Sequence, residues 1–552
     1  MSPDPRWGRL QESYGEEPLL TSQITAALVH GLQDDDAEPR YRKILATSKH
    51  FLAYHIESWA GDGQYRLSHS FNVSTADMLQ YYWPPFRAAL RADVAAVMCA
   101  YDGQNGSNPL WPHPSGPEPW GVPMCAHPIM DALLRDPALG WGGYVITDEG
   151  SITFMTPGYH GYTQTLTQAA CLAINAGTDL ALGSEFQSTL AGCLAAGNLT
   201  DARLRQALTR VLAAQFSLGW FDSLGALKTN TSDPVPFNRA GDADIGTPAA
   251  RALAHRAASE ALVLLKNAAS PAQAAARTLP LRSTALRRLA LVGPTADWNR
   301  SATGGTSSYV GNYAGCQDGP GGSTTTDPRC RVVTLLDALR ARSAGGPGGA
   351  PWALAYAPGC DVNTPGDTQG FAAALAAGLG ADAIIFAGGL DTCQETRCSE
   401  GEANDRAVPG GQFPAAGLGL GGAQPQLLAA LRAAFPTTPL IAVLLNGGPI
   451  SAPDMMAQAD AVLEAWYGGE EAGSAIAEAL FGESSPAGRM PVTVVAGLDD
   501  LPMHTDFSLS TPPGRTHRYF SRTPLTPFGF GLSYANFSCS NLDVQVRRGR
   551  WS

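Results

Sequence analysis

The chain has 552 residues, a length at which more than one hydrophobic core is expected. Its formal net charge of −12 excludes the basic surface with which general nucleic-acid binders displace counterions from phosphate. It contains no uninterrupted apolar run of about 18 residues or more, so we expect no membrane span. The composition therefore favours a globular protein with a polar substrate, and neither nucleic acid nor membrane as a partner.

From Ile44 to about Phe221, short apolar segments alternate with amphipathic ones. This alternation is typical of βα repeats around a parallel sheet, and we assign residues 1–222 to a first domain. The predicted strands are Ile44–Ser48, Val94–Cys99, Gly143–Thr147 and Thr178–Leu182, and the predicted helices are Gln164–Ala176 and Asp201–Leu218.

Residues 223–285 are interpreted as a linker, and a second alternation predicts another α/β domain at 286–495, followed by a tail at 496–552. Its predicted strands are Arg288–Val292, Ala383–Ala387, Leu440–Leu445 and Asp460–Trp466, and its helices are Ala423–Phe435 and Gly473–Phe481.

The ten cysteines are too few for a disulfide scaffold, and no Cys or His spacing is typical of a zinc site, so we predict no metal. Two pairs could form bridges, Cys316 with Cys330 and Cys393 with Cys398; the alternative is buried free thiols.

Six Asn-x-Ser/Thr triplets give weak support for a secreted glycoprotein, and no signal peptide is readable at the N-terminus. The triplets begin at Asn72, Asn105, Asn198, Asn230, Asn299 and Asn536.

The segment Gly142–Asp148 is a β-type apolar run that ends in a carboxylate. In parallel α/β architectures, catalytic groups lie at the carboxyl ends of strands, which makes Asp148 a candidate. The alternative is a helix N-cap, and Glu149 is a competing carboxylate.

A second acidic segment, Ser399–Arg406, follows the predicted strand Ala383–Ala387. Glu400 and Glu402 are two residues apart, so an extended loop would present both on one side, with Asp405 and Arg406 as an internal ion pair. A solvated acidic loop is the alternative. Two loop carboxylates on different domains suit glycoside hydrolysis.

Two basic segments could bind hydroxyl groups or carboxylates. Lys49 and His50 lie at the end of the first predicted strand, and Arg6 and Arg9 flank Trp7 in a predicted turn. A surface basic pair and a solvated turn are the alternative interpretations.

Taken together, the chain resembles glycoside hydrolase family 3, and its β-xylosidase branch in particular. The resemblance is carried in family order by DPRWGRLQESYGEEP, KHFLAYHIESW, VMCAYDGQNG, GGYVITDEGSI, INAGTDLAL, ALVLLKN, LALVGPTA, SEGEANDR, AWYGGEEAGSAIAEALFGESSPAGRMPVTV, GRTHRYF and TPFGFGLSYANF. It implies a (β/α)8-type barrel followed by an α/β sandwich, with the active site at their junction.

By resemblance, Asp148 is the nucleophile and Glu402 the general acid/base, with Glu400 as the alternative. The implied mechanism is retaining, uses no cofactor, and places the two carboxyl groups about 5 to 5.5 Å apart. We expect basic neighbours to keep Asp148 ionised and a less polar loop to raise the pKa of Glu402. The resemblance also assigns sugar-holding roles to Arg9, Lys49, His50 and Tyr101, and a wall position to Met98.

The implied activity is that of an exo-acting β-xylosidase on xylo-oligosaccharides, in an extracellular or cell-wall location. Two departures from the pattern, His55 and Glu149, are expected to border the substrate site and leave α-L-arabinofuranosidase and β-glucosidase as alternatives.

Family members carry more than a hundred residues before the DPRWGR segment, which leads us to expect an incomplete barrel here. The tail stops where many relatives begin a fibronectin-III-like domain. A truncated, non-catalytic carbohydrate-binding remnant is therefore the alternative from another class.

Overall fold

A computed structural model of the chain describes residues 1–59, 65–104, 121–229, 232–269, 277–282, 284, 286–297, 309–311, 313, 332–345, 351–394, 398–408, 417–538 and 540–541. The strands of the first half are β1 Thr47–Phe51, β2 Ser70–Phe71, β3 Ala96–Cys99, β4 Gly103–Gln104, β5 Val122–Pro123 and β6 Tyr144–Thr147. Its helices are α1 Pro18–Gln33, α2 Thr75–Asp77, α3 Trp83–Arg91, α4 Ile129–Leu134, α5 Leu166–Asn175, α6 Glu185–Ala195, α7 Asp201–Ser217, α8 Trp220–Thr229 and α9 Pro248–Ala261.

The first unit is built on the parallel strands β1, β3 and β6, in that order. Phe51, Val97 and Val145 from these strands belong to one buried apolar cluster with the surrounding helices. The strands are connected through helices, as the βα pattern predicted, so their carboxyl ends meet at one edge.

Two predicted strands differ in the structure. The first begins at Thr47, three residues after the predicted Ile44, and the segment Thr178–Leu182 contributes only a single bridge, from Leu180 to Ile146. Asp179 explains the second difference, because its carboxylate accepts a hydrogen bond from the Val145 N–H and pairs with three arginines. Backbone bonds from Asp179 and Leu180 to the Val145 carbonyl, and from Thr147 to the Leu180 carbonyl, complete this contact.

The second unit contains a six-stranded sheet with the order β7-β14-β13-β10-β8-β9. Buried apolar clusters cover both of its faces, which is why its central strands read as unbroken apolar runs. The strands of the second half are β7 Val263–Asn267, β8 Arg288–Val292, β9 Ala353–Ala357, β10 Ala383–Gly389, β11 Thr392–Gln394, β12 Glu400–Glu402, β13 Leu440–Leu445 and β14 Ala461–Glu464. The helices are α10 Leu335–Ser343, α11 Phe371–Gly378, α12 Gln424–Ala434, α13 Pro453–Gln458, α14 Ala472–Phe481 and α15 Thr516–Tyr519.

The segment assigned to the linker at 223–285 contains strand β7, which pairs antiparallel with β14 at the sheet edge. The assignment was therefore wrong for these residues, because the apolar pattern of α9 runs directly into the strand. The described part of the tail, 496–538 and 540–541, also packs back on the fold. Phe507 and Leu509 join the core of the first unit, and Leu532 bridges to Leu264 of β7.

Two disulfides, Cys99–Cys125 and Cys171–Cys193, tie elements of the first unit together and were not predicted. Cys398 is also disulfide-bonded, while Cys316, Cys330 and the side chain of Cys393 lie outside the described residues. Of the six glycosylation triplets, Asn72, Asn198 and Asn536 are exposed, and the other three lie outside the described residues. No helix in the described part of the chain is long and apolar enough to cross a bilayer.

The predicted ion pair between Asp405 and Arg406 does not form, because the two side chains face different domains. Asp405 is buried and accepts hydrogen bonds from the N–H groups of Gly8, Glu57 and Ser58, at 2.8, 2.7 and 3.1 Å. Arg406 donates instead to carbonyl oxygens of the second unit. Asp405 therefore fastens the acidic loop to the first unit.

Replacing Asp405 with Asn is expected to lower the free energy of unfolding by about 2–3 kcal/mol. The amide NH2 of Asn would face a backbone N–H group that donates to a carboxylate oxygen in the wild type, and that N–H would lose its acceptor. Urea denaturation of wild type and variant measures the difference. Asp36→Asn, at an exposed carboxylate, is the matched control and should change stability by less than about 0.5 kcal/mol. Equal effects of the two substitutions would contradict the role of Asp405.

Candidate active site

Asp148 directly follows β6, at the carboxyl end of the parallel strands. Its Oδ1 accepts a hydrogen bond from the Glu149 N–H at 2.8 Å, and its Oδ2 lies 3.3 Å from His50 Nε2. The Tyr101 hydroxyl donates a further bond to the carboxylate. The nearest following helical turn, Thr153–Met155, has Ile152 at its N-cap, so Asp148 does not cap it.

The pKa of Asp148 is raised because burial disfavours its charged form. The Glu149 N–H, Arg9, Tyr101 and Lys49 all act in the opposite direction and are outweighed. Arg9 and Lys49 thus act as expected, but they do not bring the pKa below its ordinary value. The carboxylate is held by three partners and retains a partly open side.

Glu402 ends the short strand β12, which pairs parallel with β11. Its Oε1 accepts a 2.8 Å hydrogen bond from Arg66 Nη1 and lies 3.9 Å from Arg9 Nη1. Its Oε2 accepts a hydrogen bond from the hydroxyl of Tyr313, a residue of the second half of the chain. About one fifth of the side chain is exposed, with a relative accessibility of 20%.

The pKa of Glu402 is lowered, which contradicts the expectation of a less polar loop. Burial acts to raise it, but the hydrogen bond from Tyr313 and the charges of Arg9 and Arg66 outweigh that effect. These contacts therefore favour the ionised form of Glu402.

Glu400, the alternative acid/base, is fully buried in the second unit. Its oxygens accept hydrogen bonds from the N–H groups of Gly447 and Gly448, at 2.7 and 2.8 Å, and from the Tyr467 hydroxyl at 2.6 Å. Burial raises its pKa against the opposing charge of Arg406. These bonds give Glu400 a structural environment and point it away from the loop's open side.

Two short chains of contacts connect Asp148 with Glu402. In the first, His50 Nε2 lies beside Asp148 and 3.4 Å from Arg9 Nη2, and Arg9 reaches Glu402. In the second, Tyr101 bonds to Asp148 while the Arg66 guanidinium lies 5.4 Å from the centre of the Tyr101 ring and bonds to Glu402. The fold thus brings both carboxylates to one place.

The other predicted sugar-binding residues lie around this pair. Lys49 Nζ is 3.1 Å from Glu12 Oε2, so its direct partner is Glu12 rather than Asp148. Met98 is half-buried on β3, on the face opposite the buried Val97 and Cys99. Among the described residues, no three His, Cys, Asp or Glu side chains are grouped as a metal site would require.

Sequence reasoning missed several residues of the site. Arg66 donates to both Glu57, at 2.9 Å, and Glu402. Glu57 is fully buried and also accepts bonds from Trp7 Nε1 and the Ala403 N–H. The signal for Glu57 was its place in the segment KHFLAYHIESW, whereas no local pattern marks Arg66.

The two departures from the family pattern have different surroundings. His55 is buried, and its ring lies 4.0 Å from that of Phe507, in the core of the first unit. The side chain of Glu149 is exposed.

Beneath the acidic loop, burial raises the pKa of Glu464 to about 8. Below pH 4.5, the ordinary pKa of a glutamate, Glu464 is protonated in both the folded and the unfolded state. Between pH 4.5 and about 8 it is protonated only in the folded state. The free energy of unfolding contributed by this group therefore falls as pH rises through that window.

Glu464→Gln should remove this dependence and gain stability over wild type by roughly 1.4 kcal/mol per pH unit between about pH 5 and 8. Denaturation curves across that range measure the difference. Glu260→Gln, at an exposed glutamate, should show a difference that does not vary with pH. A flat difference for Glu464→Gln would contradict the raised pKa.

Comparison with known proteins adds independent observations. The model for the glycosyl hydrolase family 3 N terminal domain matches residues 1–214, and that for the C-terminal domain matches residues 262–534. The probable exo-1,4-beta-xylosidase bxlB of Aspergillus fumigatus is 36% identical over 97% of this chain and 60% of its own length. The exo-1,4-beta-xylosidase bxlB of Emericella nidulans is 34% identical over 97% of this chain and 61% of its own.

Among solved structures, the GH3 exo-beta-xylosidase XlnD, in complex with a xylobiose aziridine activity-based probe, has a TM-score of 0.78 at 28% identity. The match covers 97% of this chain and 60% of XlnD. A beta-glucosidase from Listeria innocua in complex with isofagomine has a TM-score of 0.73 at 25% identity, covering 97% and 65% of the two chains. This chain therefore spans about 60% of the length of the curated relatives it matches.

The fold has two α/β domains, and each supplies one of the two carboxylates, Asp148 and Glu402, that lie at a common place. The two domain models of one family match the two halves of this chain. The chain belongs to glycosyl hydrolase family 3.

Proposed function

We propose that the protein is a retaining, exo-acting glycoside hydrolase that releases xylose from the non-reducing ends of xylo-oligosaccharides. The observation that carries the proposal is the meeting of Asp148 and Glu402, which come from different units and are linked through Arg9 and Arg66. The relatives named exo-1,4-beta-xylosidases and the XlnD complex with a xylobiose probe support this substrate class.

In the proposed mechanism, the Asp148 carboxylate attacks the anomeric carbon and forms a covalent glycosyl-enzyme while Glu402 donates its proton to the leaving oxygen. Glu402, now ionised, then takes a proton from water, whose oxygen attacks the anomeric carbon and releases Asp148. The Glu149 N–H and Tyr101 fix the attacking carboxylate. No cofactor takes part.

Sugar hydroxyls have suitable donors at this place. Arg9 is 1% exposed, and its buried Nη1 has no hydrogen-bond partner among the described residues, so it can donate to a hydroxyl. His50 has its pKa held well below the ordinary value by burial and by Arg9, and a neutral imidazole can donate or accept. We propose that Lys49, Tyr101 and Met98 complete the sugar-binding surface.

Activity on aryl β-xyloside, β-glucoside and α-L-arabinofuranoside tests the substrate class. We expect the xyloside to give the highest kcat/KM, with the β anomer as the first product in a time-resolved NMR experiment. A dominant glucoside rate would favour the β-glucosidase alternative, which the likeness to the Listeria innocua enzyme supports. A folded chain without turnover on any of the three would favour a non-catalytic carbohydrate-binding protein.

We also propose an extracellular or cell-wall location. Two intramolecular disulfides form in the described chain, and such bonds persist in oxidising compartments. Three exposed glycosylation triplets are compatible with secretion.

A further inference from the structure

Tyr313 reaches the candidate site from a segment of the second half that is fixed by its own neighbours. Tyr309 is fully buried, and its hydroxyl donates to carbonyl oxygens of Thr295 and Ala296 and accepts from the Leu335 N–H. Its backbone carbonyl accepts a 2.8 Å bond from Gly469. The segment that carries Tyr313 is therefore anchored in the second unit.

Gly311 packs closely against the first unit, since a Cβ atom added there would lie 2.4 Å from Gln11 Oε1. Gln11 in turn donates to Thr392 Oγ1 at 2.9 Å. Tyr313 itself has a φ of 64°, in the left-handed region that few bulky residues adopt. A strained tyrosine beside these anchored residues suggests that its side chain has a role in the site.

The Tyr313 side chain lies against three charged residues of the site. Its hydroxyl donates to Glu402 Oε2, and its ring lies 4.7 Å from Lys49 Nζ and 5.8 Å from the Arg9 guanidinium carbon. The titratable groups that face Glu402 are thus Tyr313, Arg9, Arg66 and, across the Arg66 guanidinium, Tyr101. Glu57 and Glu12 stand behind them, bonded to Arg66 and Arg9.

The two carboxylate oxygens of Glu402 have different hydrogen-bond partners, and only one of them can carry the proton favourably. Oε1 faces two guanidinium groups, which can only donate hydrogen bonds, so a proton on Oε1 would face donors without an acceptor. Oε2 faces a phenolic hydroxyl, which can donate to a carboxylate and can also accept from a protonated carboxyl group. The proton that Glu402 transfers therefore belongs on Oε2.

We propose that Tyr313 is a positioning residue for the proposed acid/base: its hydroxyl aims Oε2 at the leaving oxygen and accompanies that atom through both protonation states. In the first step, the Oε2–H bond breaks and the proton passes to the leaving oxygen. In the second, Oε2 takes a proton from water. Before a leaving oxygen is in reach, the Tyr313 hydroxyl accepts a hydrogen bond from the protonated Oε2; when the Oε2–H bond turns to the leaving oxygen, the hydroxyl donates to a lone pair of Oε2, and it keeps donating while Glu402 is ionised. This inference rests on the proposed function.

Tyr313→Phe keeps the ring over Lys49 and removes the hydroxyl. Since that hydroxyl lowers the pKa of Glu402, its loss should move the basic limb of the pH profile of kcat/KM upward. For an alkyl β-xyloside, whose leaving group needs an acid, kcat/KM at the optimum should fall by about 10- to 100-fold. For a dinitrophenyl xyloside, which needs none, it should stay within about twofold of wild type.

The matched control is Tyr534→Phe, which removes a hydroxyl that donates to the Ala479 carbonyl in the second unit. It should leave the pH profile and the contrast between leaving groups unchanged. A basic limb of Tyr313→Phe that coincides with that of wild type, or equal losses on both xylosides, would overturn the inference.

A readout independent of activity separates this inference from the proposed function. In a double-mutant cycle of Tyr313→Phe with Glu402→Gln, the shifts of the thermal midpoint should be non-additive at pH 7, because the two side chains are bonded. If the wild type hydrolysed no glycoside, the proposed function would fail. The double-mutant cycle alone would then decide whether Tyr313 and Glu402 interact. Additive shifts would overturn the role of Tyr313.

Discussion

Asp148→Asn is expected to lower kcat/KM on an aryl β-xyloside by roughly 10⁴-fold or more, because the amide cannot form the glycosyl-enzyme. The fold should persist. Burial raises the pKa of Asp148, which means that the ionised carboxylate opposes folding, so a neutral amide should leave the thermal midpoint at neutral pH equal to or above that of wild type. Steady-state kinetics and thermal unfolding of the same preparation measure both effects.

Glu149→Gln is the control for Asp148. The two carboxylates are adjacent in sequence, but the side chain of Glu149 is exposed, and only its backbone N–H contacts Asp148. We expect kcat/KM of this variant to stay within about twofold of wild type. A large loss with Glu149→Gln and a small one with Asp148→Asn would exchange the two assignments.

Glu402→Ala is expected to lower kcat/KM on xylobiose by about 10³-fold, the typical contribution of a general acid. The loss on a dinitrophenyl xyloside should be below about tenfold, because its leaving group departs without a proton. Added azide should restore turnover of the activated substrate, since a small anion can enter the space of the lost carboxylate and attack the glycosyl-enzyme. Detection of the β-xylosyl azide product completes the test.

Glu400→Ala distinguishes the alternative acid/base. This substitution leaves the N–H groups of Gly447 and Gly448 and the buried charge of Arg406 without their carboxylate. We expect a loss of roughly 3 kcal/mol or more in the free energy of unfolding and no rescue by azide. If azide instead restored Glu400→Ala and not Glu402→Ala, Glu400 would be the acid/base.

Local patterns were sufficient for the parts of the fold whose signal lies within one element. The strand before Asp148 and the central strands of the second unit, such as β13, are apolar runs of strand length bounded by loops. Strand β7 was missed because its apolar residues continue those of α9 without a break. No local residue pattern marks the point at which an apolar segment changes from helix to strand. Here the pairing of β7 with β14 decides that the second part of the segment is a strand.

The protonation of Glu402 shows a different limit. The sequence of the loop shows only the charged residues within the loop itself. On that basis we expected a raised pKa for Glu402. In the folded chain, Arg66 bonds to Glu402 across a separation of 336 residues and Tyr313 across 89. Their combined effect outweighs burial and reverses the direction of the shift.

The sequence by itself determined the family resemblance, the two α/β units and the candidate carboxylates, because each depends on an ordered set of short motifs. Only the tertiary structure decided how those groups are paired: Asp405 fastens the domains, Glu400 is buried in hydrogen bonds, and Tyr313 contacts Glu402. The physical reason is that the electrostatic state of a carboxylate depends on distance and burial, and both are set by residues far away in the chain.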